Sequence, residues 1–224
     1  QNPETGWVSF LNFRYLNDEK QVGQVGFNTD NWLRLRTANE NGTLDDTSYR
    51  TQSEAEGWGS EIDTRRFDSS VKLGYVFPEL PFQSFGFQAS YSNHQQESYY
   101  GFNRYDINHN SVYSNLIFNS IIGDTRSKFK TGLTFAYDTY DELVNTQDFS
   151  RDDVSGGVFF EYSYENMEKL SLTAGLRADT HNRLGTFITP RLHVRYTPWE
   201  LGSLRGSIGR GRRAANIFAE NQQL

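Results

Sequence analysis

Apolar and polar residues alternate strictly through much of this chain. In residues 189–216, TPRLHVRYTPWELGSLRGSIGRGRRAAN, three apolar side chains alternate with three basic ones: Leu192, Val194 and Tyr196 against Arg191, His193 and Arg195. A period of two is that of a β-strand, whose side chains point alternately to the two faces of a sheet. The pattern therefore predicts a sheet with one apolar face and one charged face.

The alternation occurs in nine segments. Seven of them lie near residues 7–15, 71–77, 85–94, 112–122, 129–137, 158–164 and 170–178, and residues 189–216 supply two more. Short connections, predicted at residues 78–83, 123–127, 166–169 and 198–203, alternate with long polar ones, predicted at residues 17–66, 95–110, 141–153 and 179–189. This arrangement is typical of a meander of antiparallel strands, with short turns at one end and long loops at the other.

Composition excludes several classes of protein. No apolar run approaches 18 residues, so the sequence predicts no helical membrane span. Cysteine is absent, which excludes disulfides and thiolate sites. The net charge of −6 argues against a nucleic-acid-binding protein that neutralises phosphates. The four histidines are scattered and no metal-binding spacing occurs, so we predict no metal site and no cofactor.

Two architectures fit nine such strands: a soluble β-sandwich and a transmembrane β-barrel. Many of the predicted strands are about ten residues long, which is enough to cross a bilayer at a tilt. Tyr and Phe recur near the strand ends, as expected for aromatic girdles at a membrane surface. The barrel is therefore favoured, with the sandwich as its alternative.

The barrel interpretation assigns each parity to one side. The apolar parity is expected to face lipid and includes Leu73, Phe87, Leu133, Phe160, Leu172 and Val194. The polar parity is expected to face the barrel interior and includes Lys72, Gln88, Lys130, Glu161, Arg177, Arg191, His193, Arg195 and Arg205. A charge on the lipid face would cost about 2–4 kcal/mol at mid-membrane, so a membrane demands this separation.

The segment TPRLHVRYTPWELGSLRGSIGRGRRAANIFAEN resembles the mid-barrel region of TonB-dependent outer-membrane receptors, particularly those of Bacteroidota. The matching residues are Thr189, Pro190, Arg191, Tyr196, Pro198, Leu204, Arg205, Gly209, Gly211, Arg213, Ala214 and Glu220. Arg212 and Ala215 depart from the family pattern, which has Phe and Pro there. The segments KLGYVFPELPFQSFGFQ and YSNLIFNSIIGDTRSKFKTGLTFAYDTYDE also resemble barrel hairpins of this family.

The resemblance implies a 22-stranded barrel in the cell outer membrane, filled by an amino-terminal plug. Residues 1–224 are then expected to be part of one barrel domain, with the plug and the remaining strands outside them. An odd number of antiparallel strands cannot close a barrel, which agrees with this expectation. The implied partners are outer-membrane lipid and lipopolysaccharide, the protein's own plug, and the TonB complex, which would engage an amino-terminal part outside this segment. No nucleic-acid partner is expected.

The implied function is import of a scarce nutrient by active transport, without catalysis. The candidate substrates are a siderophore–iron complex, haem, cobalamin, a metal, a glycan or a peptide. The candidate ligand contacts, expected in an outer loop, are Tyr99, Tyr100, Phe102, Asn103, Arg104 and Tyr105. A barrel adhesin and a barrel hydrolase are the alternatives, and a hydrolase would have to assemble Ser92, Asp179 and His181.

Overall fold

The computed structural model describes residues 5–24, 59–101, 103–166, 169–199, 201–212 and 214. Their strands are β1 (Trp7–Gly23), β2 (Gly59–Phe77), β3 (Leu80–Tyr100), β4 (Asn103–Ile122), β5 (Asp124–Val144), β6 (Gln147–Asp148), β7 (Arg151–Asn166), β8 (Leu170–His181), β9 (Gly185–Trp199) and β10 (Gly202–Gly209). All belong to one antiparallel sheet in which each long strand pairs with the next, while the two-residue β6 pairs with β5. Within these residues, no helix is long and apolar enough to cross a membrane. The predicted all-β meander of about nine strands is confirmed.

The pairing register extends the apolar parity into one continuous face. Leu73 lies opposite Phe87, which lies opposite Leu116. Leu116 in turn lies opposite Leu133, and Leu133 lies opposite Val158. Since directly paired residues point to the same side, these side chains share one face of the sheet.

The nine residues of the polar parity lie together on the opposite face. Lys72 pairs with Gln88, Lys130 with Glu161, and Arg205 with Arg195. Arg177 lies there because it pairs with Phe159, which is two residues from Glu161 on the same strand. Arg191 lies there because it pairs with Gly175, which in turn pairs with Glu161. We call this side the polar face. Its position inside a barrel stays a prediction.

The apolar residues form almost no buried core. Among the described residues only two hydrophobic side chains are buried, Tyr105 and Val144. In contrast, Leu133 is 54% exposed and Phe87 is 40% exposed in the middle of the apolar face. A β-sandwich would cover this face with a second sheet, and the described residues supply none.

Aromatic rings border the apolar face at both ends. Near the short turns, successive ring contacts with centroids 4.7 to 5.9 Å apart run across the strands through Trp7, Tyr75, Phe77, Phe85, Phe118, Phe129 and Phe160. We call this set the turn-side belt. The loop-side belt consists of Tyr15, Phe67, Tyr91 and Tyr137. From Phe67 to Tyr75 the strand rises roughly 26 Å at about 3.3 Å per residue, so the two belts lie about that far apart along the strand.

The strands continue far beyond the loop-side belt, so the predicted loop bounds are wrong. In place of the connection predicted at residues 95–110, β3 continues to Tyr100 and β4 begins at Asn103, and the connection predicted at 179–189 is a turn at 182–184. Likewise β1 continues to Gly23, β2 begins at Gly59, and β5 reaches Val144. Both faces are polar in this part, so the alternation disappears while the strand pairing persists. We call the parts of β1–β5 and β7 beyond the loop-side belt the polar extension.

Some polar-face side chains lie flat over glycines. A Cβ built on Gly132 would come within 2.2 Å of the Leu116 carbonyl oxygen and 2.7 Å of the Phe159 ring. Gly132 lies directly opposite Phe159 in the register. The missing side chain therefore lets a bulky ring pack against the backbone of the neighbouring strand.

This packing predicts different outcomes for two glycines on the polar face. Gly132→Ala should lower the urea midpoint of the whole folded protein, because overpacking typically costs about 1–3 kcal/mol. Gly86→Ala is the matched control, since no atom lies within 4 Å of its added Cβ. Tryptophan fluorescence during urea titration measures both. Equal midpoints for the two variants would contradict the packing described.

Candidate functional site

The polar face carries a row of basic and aromatic side chains in the polar extension. Each member lies directly opposite the next on the neighbouring strand, from β2 to β7: Arg66, His94, His109, Tyr140 and Arg151. We call this set the basic row. The antiparallel register alone brings these side chains together, because they are far apart in sequence.

A second row lies two residues closer to the short turns. Its members, again on β2 to β7, are Asp68, Ser92, Ser111, Asp138 and Asp153. We call this set the carboxylate row.

Three contacts join the two rows. Arg66 Nε lies 3.0 Å from Asp68 Oδ1, and His109 Nε2 lies 3.0 Å from Asp138 Oδ1. At the other end, Arg151 Nε lies 4.0 Å from Asp153 Oδ2. Arg66, His109 and Arg151 are thereby each held beside a carboxylate, in three separate contacts between the two rows.

The Tyr140 ring packs against the His109 ring and the Arg151 guanidinium group. The His109 ring stacks on it with centroids 4.2 Å apart and planes 5° apart. The Arg151 guanidinium carbon lies 4.0 Å from the Tyr140 ring centroid. Stacking and cation–π attraction each favour this arrangement. The ring is thus fixed in orientation at the middle of the site.

Glu142 stabilises this arrangement from a position on β5 two residues beyond Tyr140, farther from the short turns. It is 1% exposed, and it forms an ion pair with Arg151. The Tyr105 hydroxyl donates a hydrogen bond to Glu142 Oε1 at 3.0 Å. From the β8–β9 turn, Arg183 Nη2 donates to Asp153 Oδ2 at 2.6 Å. These contacts tie β4, β5, β7 and the β8–β9 turn together.

Burial sets the protonation of several groups in the polar extension. Burial and the nearby Glu142 charge raise the pKa of Tyr105 well above its usual range. Burial and the Asp138 charge likewise raise the pKa of Tyr140. Both phenols therefore stay protonated at neutral pH. Burial and the Arg66 charge lower the pKa of His94, which favours its neutral form.

Five of the six predicted ligand contacts lie at the tip of the β3–β4 hairpin. Tyr100 pairs with Asn103, and the register places both on the polar face with Tyr105. Tyr99 pairs with Arg104 on the opposite face. There Arg104 Nε donates to Asp106 Oδ2 at 2.6 Å.

Of the predicted ligand contacts, Tyr100, Asn103 and Tyr105 therefore lie on the same face of the sheet as the basic row. Tyr105 belongs to its support, because its hydroxyl is bonded to Glu142. Phe102 lies outside the described residues. Contact between any of these residues and a ligand stays a prediction.

Sequence patterns did not single out the middle of the site. Tyr140 lies between the strand predicted at residues 129–137 and the loop predicted at 141–153, and that predicted loop contains Glu142 and Arg151. The only signal that joins His109, Tyr140 and Arg151 is the pairing register, which a single sequence does not reveal.

The hydrolase constellation is not assembled. Ser92 lies on β3 and Asp179 on β8, four strand spacings away, which is about 19 Å. The only group of three metal-ligating side chains among the described residues is Glu19, Glu61 and Asp63 on β1 and β2. Glu19 lies opposite Asp63, and the register places both on the side away from the basic row. The clearest binding group among the described residues of the site is the Arg66 guanidinium, which is 44% exposed.

Comparison with known proteins identifies relatives of the fold. The family model for the TonB-dependent receptor-like β-barrel matches residues 2–223. A comparison with curated proteins returned no match.

Solved structures give a second set of relatives. The siderophore receptor PirA from Pseudomonas aeruginosa is similar with a TM-score of 0.55 and 16% identity, over 72% of this chain and 31% of that one. The ferric enterobactin receptor PfeA from Pseudomonas aeruginosa has a TM-score of 0.44 and 15% identity, over 71% of this chain and 35% of that one. The chain thus spans about a third of the solved receptors that it matches. At these identities the likeness to PirA concerns the fold.

The buried ion pair predicts a local loss of stability. Glu142→Ala should lower the opening free energy of β5 and β7 in the polar extension by about 3 kcal/mol, because Arg151, 12% exposed, would keep its charge without its partner. Hydrogen exchange of the whole protein measures this opening. Asp124→Ala is the control, because its ion pair with Arg126 is exposed and should contribute little. Unchanged exchange in Glu142→Ala would show that the pair is not stabilising.

Proposed function

The chain belongs to the TonB-dependent receptor-like β-barrel family, and from that premise we propose that it forms part of an outer-membrane receptor that imports a scarce nutrient by active transport. The observation that carries the proposal is the single sheet whose apolar face, between two aromatic belts, is not covered by any other described element. Such a surface is stable only in a nonpolar environment, which a bilayer provides. The receptors of this family transport, so the proposal includes no catalytic step.

The belts give the proposed placement in the membrane. The apolar face between them contacts lipid, and the nine residues from Phe67 to Tyr75 agree with the about 9–11 residues that a strand tilted by about 45° needs to cross the hydrocarbon core. The polar extension, polar on both faces, stands outside the outer leaflet beside lipopolysaccharide. The polar face lines the barrel interior, where water and acidic partners stabilise its arginines.

The proposed partners follow from the family. A plug domain fills the barrel of such receptors, and the TonB complex supplies energy from the periplasm. The basic row lies at the opposite end of the strands from the short turns. The basic row is therefore placed to meet a substrate arriving from outside.

The chemistry of the site supports one substrate class first. Arg66, 44% exposed, offers a guanidinium group, and Tyr100 offers an aromatic ring on the same side of the sheet. Guanidinium groups favour carboxylate or catecholate oxygens, and aromatic faces favour planar groups. We therefore propose a ferric siderophore as substrate. Haem, cobalamin, a free metal, a glycan and a peptide are the alternatives that the experiment distinguishes.

Transport is tested with the full-length receptor. A strain lacking its gene should lose growth on a ferric siderophore as sole iron source, and the full-length gene should restore growth. Parallel cultures limited for haem, cobalamin or glycan separate the substrate classes. Normal growth of the deletion strain under every limitation would remove the import proposal.

Membrane placement predicts that a charge is harmful to folding at one of two adjacent residues and harmless at the other. Phe87→Arg, on the apolar face, should cost about 2–4 kcal/mol and lower the folded fraction in the outer membrane. Gln88→Arg, at the same depth on the polar face, should fold like the parent. Heat-modifiable migration of the full-length receptor measures both variants. If Gln88→Arg were the more damaging, the two faces would be assigned the wrong way round.

The site predicts a similar contrast at the β3–β4 tip. Tyr100→Ala should weaken ligand binding to the full-length receptor about tenfold, equivalent to about 1.4 kcal/mol, because an aromatic contact on the polar face is lost. Tyr99→Ala, on the opposite face, should bind like the parent. Equilibrium binding of the radiolabelled siderophore to isolated outer membranes measures both. Equal losses in the two variants would argue against a contact that is specific to one face.

A further inference from the structure

Two arginines lie directly opposite each other on the polar face near the short turns. Arg195 of β9 pairs with Arg205 of β10. Like charges in this position destabilise a sheet unless an anion lies between or beside them. The nearest carboxylate is Glu165, whose Oε1 lies 3.9 Å from Arg195 Nη2, and both side chains are about half exposed. Within the part of the chain that the structure describes, Arg205 has no ion-pair partner.

The side chains around this pair are chiefly hydrogen-bond donors. A cavity of about 510 Å³ borders Arg195 and Arg205 and is also lined by Ser171, His193 and Ser207. His193 lies opposite Ser207, one row from the arginines. We call these five residues the arginine notch. Two guanidinium groups with hydroxyls beside them have the composition of a site for an anion.

The positive charge extends beyond the notch. Three successive rows of the polar face near the short turns hold five cations and two carboxylates: Lys128, Lys130, Arg191, Arg195 and Arg205, with Glu161 and Glu165. Glu161 is already shared, since it pairs with Arg191 and lies 3.7 Å from Lys130. This local excess of positive charge occurs in a chain whose net charge is −6. Among the described residues, this end of the polar face therefore has more cations than carboxylates.

We propose that the arginine notch binds one or two carboxylate side chains of the domain that fills the barrel, and thereby anchors that domain to the wall. This inference rests on the proposed function, because it requires a filled barrel. The notch lies on the polar face, so lipid phosphates on the other side of the sheet do not reach it. It also lies at the short-turn end, away from the basic row. A carboxylate carried by polypeptide inside the barrel satisfies both conditions.

A following barrel strand is a competing source of counter-charge for the arginine notch. Arg205 lies on β10, the last strand of the described sheet, so a carboxylate on the next strand of the barrel would lie beside it. The two sources differ in the peptide that lies beside the notch. Cross-linking separates them.

The experiment uses the full-length receptor in outer-membrane vesicles. The photoreactive residue p-benzoylphenylalanine replaces Ser207 in the notch or, as a control, Gln88 on the polar face of β3. After illumination and digestion, mass spectrometry identifies the peptide attached at each position. From Ser207 we expect a peptide of the barrel-filling domain that contains Asp or Glu.

The charge dependence is the decisive measurement. The double variant Arg195→Gln with Arg205→Gln should lower the Ser207 cross-link at least fivefold and leave the Gln88 cross-link unchanged. The double variant with Lys at both positions keeps the charge and should retain most of the cross-link. Heat-modifiable migration confirms that each variant folds, and the Lys variant preserves the test if the Gln variant does not.

Three results would overturn the inference. A Ser207 cross-link to a following barrel strand would assign the counter-charge to the wall. A cross-link to the domain that persists in the Gln variant would show contact without an ionic anchor. Absence of any cross-link to a barrel-filling domain from both Ser207 and Gln88 would remove the proposed function together with the inference.

Discussion

Pairing of backbone groups between neighbouring strands is the interaction on which the rest of this structure depends. Only Tyr105 and Val144 are buried hydrophobic residues in the described part of the chain, so no apolar core holds the sheet together. Nine long strands instead satisfy one another's N–H and C=O groups in unbroken antiparallel order. In hydrocarbon an unpaired backbone group costs several kcal/mol, which makes such a ladder stabilising there. The exposed apolar face and the pairing pattern therefore require the same environment.

Polarity changes along the strands as well as across them. Between the aromatic belts the two faces differ, and a one-residue slip in register would exchange Leu133 with Thr134 and expose polar groups on the apolar side. In the polar extension both faces are polar, so parity no longer fixes the register. Specific contacts replace it there, such as the stacking of His109 on Tyr140 and the buried pair of Glu142 with Arg151. Register is thus maintained by solvation in one part and by side-chain pairing in the other.

The polar face combines close packing with uncompensated charge. Phe159 lies over Gly132, and Arg191 lies over Gly175, so large side chains follow the wall instead of projecting from it. Space is left for another component on this side. Toward the outer end the charges pair among themselves, as in the basic and carboxylate rows. Toward the short turns the cations outnumber the carboxylates, and the opposed Arg195 and Arg205 give the clearest case. The two ends of the face are therefore suited to different occupants.

The sequence by itself determined the fold class, the order of the strands and the face on which the residues of the alternating segments lie. The alternation is informative because residues such as Leu73 and Lys72 differ sharply in solvation energy. A period of two also indicates a β-strand, in which neighbouring side chains point to opposite faces. It did not determine the strand ends or the basic row. Where both faces are polar, no contrast marks a strand, so residues 95–100 and 103–110 were assigned to a loop although they are paired. Only the tertiary structure brought His109, Tyr140 and Arg151 together, because cross-strand register depends on the whole ladder and is absent from any single strand.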